Sequence, residues 1–374
     1  MTNFELFFDL VYVFAVTQIS HLLLANLTGR GAVQSLIVLL AIWWAWIYTT
    51  WATNWLDPNR ALVRLMLVGV MLGSLIMASA VPEAFGERGL LFAGAYAAIQ
   101  VGRGAFVMYA VRGEDSLRRN FQRITFWCVA SSVIWVAGGL TEGVNRELLW
   151  LLALVIDYAA PAFGYFTPGL SRSTTTDWTI QGSHMAERCQ LFVILSLGES
   201  IIITGATFAG LPTTAMVFVA LIAALFGSVA IWWVYFARGG DDAERVIAQA
   251  DDPGRLGRAA YSYLHLPIVA GIIVIAVADE LVLVHPLDNP GTSEIAAVLG
   301  GAVLFLLGHL LFKLVIFERV SLSRLAAIMV LLALVPFAGS VPLLGLGIAT
   351  TVVIAAVAVW DGRFDPHHAA NERD

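Results

Sequence analysis

The chain has 374 residues, 59% of them hydrophobic and 13% charged, with a formal net charge of −6. A soluble globular domain carries about a quarter charged residues, so this composition excludes an ordinary water-soluble fold and points to lipid as the surroundings of the apolar excess. A nucleic-acid binder is excluded as well, because there is one lysine, Lys313, and the arginines are scattered rather than gathered in a patch.

Apolar runs of spanning length recur from end to end. In chain order they cover 4–28, 32–55, 62–81, 89–111, 119–140, 147–168, 184–208, 212–236, 259–283, 294–316, 321–339 and 341–360. About 20 apolar residues cross the hydrocarbon core, and only helices satisfy the backbone there at this segment length. The first run does not read as a cleavable signal, since Glu5 and Asp9 interrupt it and no basic stretch precedes it. Thr2 and Glu5 instead have capping-box spacing, which starts a helix at once, and a slightly earlier chain start is expected. The last two runs are short, and Pro336 and Pro342 crowd the turn between them, so a re-entrant pair is the alternative there.

Positive charge sets the topology. Seventeen of the 21 basic residues fall on one side of this plan, among them Arg60, Arg188, Arg258, Arg324 and Arg363; Arg30, Arg88 and Arg146 fall on the other, and Arg103 lies inside a span. The positive-inside rule then places both termini in the cytoplasm, which needs an even number of spans. The longest polar connection, 237–258, is read as a cytoplasmic loop with a short helix at 242–250, and 361–374 as a short polar tail.

An internal repeat is expected. Ile42-Trp43-Trp44 returns as Ile231-Trp232-Trp233, Asp9 is matched by Glu199, and Gly102-Arg103 by Gly308-His309. Residues 1–180 and 181–374 then form two six-helix copies of the same orientation, a recurring transporter plan. The expected fold is all-α: a polytopic transmembrane helical bundle of about 12 spans, with a parallel 6+6 repeat and cytoplasmic termini.

In lipid an ionisable side chain is costly and persists when paired, cavity-facing or at work. The first run holds Glu5, Asp9, Gln18 and His21; the seventh holds His184, Glu187, Arg188 and Glu199. Glu5 and Asp9 share a helix face, as do Arg188 and Glu199, eleven residues apart. Glu5 suits a helix cap, and Glu187 and Arg188 suit the interface. Asp9 and Glu199 sit deeper and are the stronger candidates for a substrate or proton site. Arg103 needs an anionic partner, with Asp9 or Glu199 in view. His309 reads mainly as a structural hydrogen-bonder, and Asp157, four residues before Pro161, as a structural or functional carboxylate. Trp43 and Trp232 suit packing between helices or the lining of an apolar path. Cys128 and Cys189 read as small buried hydrophobes. No metal-ligand spacing, P-loop, G-x-S-x-G or H-E-x-x-H is present, and no catalytic residue, metal or cofactor is expected.

The stretch Phe4-Glu5-Leu6-Phe7-Phe8-Asp9-Leu10-Val11-Tyr12-Val13-Phe14-Ala15-Val16-Thr17-Gln18-Ile19-Ser20-His21-Leu22 resembles the opening helix of the low temperature requirement A family of bacterial membrane proteins. His184-Met185-Ala186-Glu187-Arg188 through Leu197-Gly198-Glu199-Ser200-Ile201 resembles that family's mid-protein motif, and the Trp-Trp pair of the second run also fits. This copy lacks the polar, often basic lead-in that usually precedes the first block. The resemblance implies a multi-pass protein of the bacterial cytoplasmic (inner) membrane and supplies no substrate. Beside the lipid bilayer, the partner expected is a small molecule or ion, moved by a transporter-like protein that uses its intramembrane carboxylates. The alternatives are a sensor or scaffold tied to growth in the cold, and a membrane-embedded lipid-modifying enzyme built on His184 and Glu187.

Overall fold

The computed structural model describes residues 2–173, 182–236, 243, 245–247 and 249–364. Each of the twelve apolar runs is occupied by a helix. These are α1 (Asn3–Ala25), α2 (Gly29–Trp55), α3 (Ala61–Ser79), α4 (Gly89–Ala110), α5 (Asp115–Gly139) and α6 (Gly143–Ala159). They are followed by α7 (Gly182–Gly210), α8 (Ala215–Phe236), α9 (Pro253–Val284), α10 (Thr292–Phe317), α11 (Leu322–Ala338) and α12 (Leu343–Phe364). Among the described residues, nine of them are long and apolar enough to cross a membrane by length and composition. The other three are α5, with Asp115, Arg118, Arg119 and Arg123 in its first turns, and α6 and α11, each 17 residues long. At 1.5 Å per residue those two reach roughly 25 Å, short of the roughly 30 Å core. The chain is thus an all-helical, multi-pass membrane protein.

Local signals explain the boundaries. Thr2 caps α1, and Glu5 returns the bond to the Thr2 amide, so the expected capping box forms. The sixth run behaves differently from expectation. α6 stops at Ala159, and Pro161 opens an ordered turn segment instead of a helix to 168. Gly164 and Tyr165 turn the chain at φ +60° and +49°, and Thr167 pairs with Ser171. Within α9, Arg258–Leu264 is π-helical, and His265 Nδ1 reaches the Ala260 carbonyl at 2.9 Å. Pro267 lies just beyond and lacks the N–H that would continue the regular ladder. Within the expected helix at 242–250, residues 243 and 245–247 are helical and 242, 244 and 248 lie outside the described residues, as do 365–374; the expected tail from 361 begins instead as the last turn of α12.

The chain divides into two compact units. The first comprises Met1–Leu195 with Ala250–Arg258, and the second Ser196–Gln249 with Ala259–Asp374. In the first, α1 packs on α2 and α3, α4 on α3 and α5, and α6 on α5 and α2. Its centre holds an aromatic cluster of Phe92, Trp135 and Trp150, where the Trp150 indole donates to the Trp135 carbonyl at 3.0 Å. In the second, α9 lies tightly along α10, and α8 packs on α12. Glycines permit the α9–α10 approach. A Cβ on Gly308 would sit 2.8 Å from the Ile268 amide nitrogen, and one on Gly301 would sit 3.0 Å from that of Ile275. Packing of this kind holds membrane helices together where lipid removes the usual hydrophobic drive.

Replacing Gly308 with leucine is therefore expected to lower the thermal midpoint and folded yield in detergent, because backbone must move. Overpacking of this type costs about 1–3 kcal/mol. Gly300→Ala, one position from Gly301 and with nothing within 4 Å of its Cβ, should leave both unchanged.

Candidate functional site

The first unit buries four ionisable side chains from α1 and α7 against one another. Arg188 is at the centre, with 0% exposure, and its Nη1 donates to Glu5 Oε1 at 3.1 Å while its Nη2 donates to Asp9 Oδ1 at 2.6 Å. Glu5 and Asp9 are one turn apart on α1, so a single guanidinium spans both. The guanidinium also lies against aromatic faces, 5.6 Å from the Phe8 ring centroid and 5.9 Å from that of Trp46. Trp46 of α2 adds an indole N–H to Asp9 Oδ1 at 2.8 Å. Trp43 and Trp46 close the site against Phe192 of α7, at ring distances of 5.4 and 4.5 Å.

The two carboxylates are satisfied unequally. Glu5 accepts four donors: the Thr2 amide and hydroxyl on Oε2 at 2.9 and 3.0 Å, and His184 Nε2 and Arg188 on Oε1 at 2.8 and 3.1 Å. Asp9 accepts two, both on Oδ1, and its buried Oδ2 has no hydrogen-bond partner among the described residues. His184 Nδ1 and Arg188 Nε are likewise buried without partners. One fixed cation faces two carboxylates, so the group is electrically neutral only when it holds one further proton.

Other expected site residues fall elsewhere. Arg188 is not interfacial as its position near the start of α7 suggested; it is fully enclosed, as is Asp9. Arg103 does not pair with Asp9. Its guanidinium donates to the Ala45 carbonyl and Thr49 hydroxyl, each at 3.2 Å, and to Gln100 Oε1, and it lies 5.3 Å from the Tyr48 ring centroid. Gln100 donates to Tyr96, which donates to Asp157 Oδ2, each at 2.8 Å, so a polar chain joins Arg103 to Asp157. Trp135 gives Asp157 a further bond at 3.2 Å. Glu187 is exposed on α7, while the His184 ring is turned to Glu5. Gln18 is half-buried and His21 exposed on α1. Glu199 is buried in the second unit.

The second unit carries its own buried network. Arg324, 1% exposed, donates to Asp361 Oδ2 at 2.7 Å, to the Ser321 and Ser323 hydroxyls at 3.0 and 3.1 Å, to the Val234 carbonyl at 3.4 Å and to His309 Nδ1 at 3.3 Å. His309 is thus a hydrogen-bonding member of a pin joining α8, α10, α11 and α12. Trp232 and Trp233 are about half exposed, at 47% and 52%, whereas Trp43 and Trp44 are buried. Cys128 and Cys189 are free and buried. Among the described residues no group of His, Cys, Asp and Glu could hold a metal ion.

Sequence reasoning missed Trp46, Arg324 with Asp361, and the Tyr96–Gln100–Arg103 series. The last had a signal, because spacings of four and three put all three residues on one helix face. Trp46 and Arg324 had none, since a tryptophan in an aromatic run and an arginine near a helix end read as interfacial.

A helical membrane protein with a buried carboxylate–arginine–histidine group is thereby defined. The profile described as bacterial low temperature requirement A protein (LtrA) matches residues 1–359, and the chain belongs to that family. It is 40% identical over 362 residues to an uncharacterized protein of Rhizobium meliloti (strain 1021), covering 96% of this chain and 88% of the relative. No solved structure matches the chain.

Removing Arg188 leaves two carboxylates buried without their cation. Arg188→Gln is expected to cost about 3–5 kcal/mol of stability, the loss typical of a broken buried pair. Adding Asp9→Asn to that variant should recover part of it. Thermal unfolding of the purified single and double variants checks the pattern, and a double variant no more stable than Arg188→Gln would contradict it.

Proposed function

We propose that the protein is a transporter-like protein of the bacterial cytoplasmic membrane, that all twelve helices span, and that Asp9 is the group whose protonation drives it. The observation that carries this reading is the inequality between Glu5 and Asp9. Four donors hold Glu5 as the ionised partner of Arg188, whereas Asp9 keeps a bare, buried carboxylate oxygen. A proton arriving there makes the group neutral. It also turns the Asp9–Arg188 ion pair into a hydrogen bond to a neutral acid, which weakens the tie of α7 to α1. His184 is the entry for that proton, being the member with most exposure, at 13% of its side chain. The carried species is a small molecule or ion moved together with, or against, the proton.

The proposed orientation has both termini in the cytoplasm. Arg188, Arg324 and Arg146 are buried and drop out of the loop tally, the last held by the carbonyls of Ala84, Gly86 and Thr141 at 2.9, 2.6 and 2.9 Å. The remaining basic residues keep the same bias. The proposed 6+6 repeat, with copies at 1–180 and 181–374, is supported by one non-sequential packing: α2 meets α6 in the first unit, and α8 meets α12 in the second.

A second reading is favoured by the closeness of the 2.6 Å Arg188–Asp9 pair. A static pin of this kind also suits a membrane sensor or scaffold that transports nothing.

The two readings separate in reconstituted vesicles. Currents after a pH jump are recorded on a solid-supported membrane, alone and with amino acids, sugars, organic acids or monovalent cations outside. Transport predicts a current that depends on the proton gradient with one of these classes and is lost in Asp9→Asn. A folded protein giving no current with any class, or an Asp9→Asn variant with undiminished current, would sink the transport reading and leave the scaffold.

A further inference from the structure

The ordered segment between α6 and residue 173 is not needed for the buried group, yet it is built with care. Arg123 of α5 donates to the Leu170 carbonyl at 2.9 and 2.5 Å, and the Trp127 indole donates to the Phe166 carbonyl at 3.0 Å. Ser173 binds Asn120 at 3.1 Å, and Arg258 reaches the Pro161 carbonyl at 3.4 Å. The segment therefore rests on the first turns of α5 and has a defined shape. It spends two large apolar side chains on the outside, Phe163 at 59% and Phe166 at 48% exposure. Arg172 lies 5.9 Å from the Phe166 ring centroid, with its own side chain exposed. Arg118 and Arg119 are exposed on the adjoining first turns of α5, and Arg119 is one turn before Arg123. Within 112–123 and 161–173 the acidic residues are Glu114 and Asp115.

We propose that this surface binds the headgroups of anionic phospholipids in the leaflet on the protein's basic side. Phe163 and Phe166 enter the headgroup–acyl boundary, where exposed aromatic rings are stable. Arg118, Arg119 and Arg172 then meet the phosphates, with Arg123 and Arg258 held at the edge by the loop's own carbonyls. The pairing of an apolar wedge with arginines on one rigid support distinguishes this surface from a basic loop that only obeys the charge rule. Charge decides the occupant: a zwitterionic headgroup cancels the attraction, whereas an anionic one keeps it.

Each arginine near an anionic leaflet contributes about a fivefold factor. The full chain in detergent is titrated with short-chain phosphatidylglycerol or phosphatidylcholine, and bound lipid is counted by native mass spectrometry. Wild type should retain phosphatidylglycerol in preference, and added salt should weaken it. R118Q/R119Q/R172Q should lose roughly a hundredfold of that preference. F163S/F166S should weaken both lipids alike. Should the triple variant fail to fold, R172Q alone, on the exposed turn, should lose about fivefold. Equal retention of the two lipids by wild type, an unchanged preference in R172Q, or displacement of the lipid by inorganic phosphate at equal concentration would overturn the proposal. None of these outcomes depends on whether Asp9 carries a proton.

Discussion

An arginine cannot be left bare in a membrane protein's interior, and the first unit is organised around meeting that demand for Arg188. Its guanidinium is always charged and presents donors in a fixed fork. Its two terminal nitrogens donate to two carboxylates one turn apart on α1, Phe8 and Trp46 lie against its faces, and Nε alone is left without a partner among the described residues. Those contacts fix which face of α1 turns inward, which tryptophan of α2 points at it, and how the first half of α7 docks. The arrangement leaves one negative charge more than it has fixed positive charge. That imbalance is what protonation of Asp9, as proposed above, removes.

The chain's other enclosed arginines are met in different chemical ways, and the differences bear on function. Arg146 is surrounded by carbonyl groups, which neither titrate nor move with pH. Arg324 faces Asp361 with hydroxyls, a carbonyl and His309 around it, and every nitrogen is used. Arg103 reaches its carboxylate, Asp157, only through Gln100 and Tyr96, with each donor pointing the same way toward the acid. Aligned chains of this sort polarise one another and stiffen the helices that carry them. Against these satisfied networks, Asp9 keeps a buried carboxylate oxygen without a hydrogen-bond partner among the described residues, as Asp279 does in the second unit.

The two stretches by which the sequence resembles the LtrA family are the ones that meet in this group. Glu5 and Asp9 come from the opening block, and His184 and Arg188 from the mid-protein block. Neither block contains a complete site by itself. The first supplies carboxylates without a cation, and the second supplies a cation with a histidine.

Composition and the recurrence of long apolar runs determined the class of fold, because lipid admits helices and little else at that length. The same physics made the ionisable residues inside those runs worth naming in advance, and Asp9, Glu5, His184, Arg188 and Asp157 all proved to be bound into buried networks. Pairing was beyond the sequence. Arg103 bonds Ala45, Thr49 and Gln100 rather than Asp9, and Arg188 looked interfacial because position along a helix does not reveal which neighbour covers it. Asp361 and Arg324 sat where a polar tail and a loop were expected, and only the packing of α11 on α12 turned them into a buried pair. Sequence fixes what each helix carries and at what depth. The rotation of each helix about its axis, set by how its whole surface packs, decided which charges face one another.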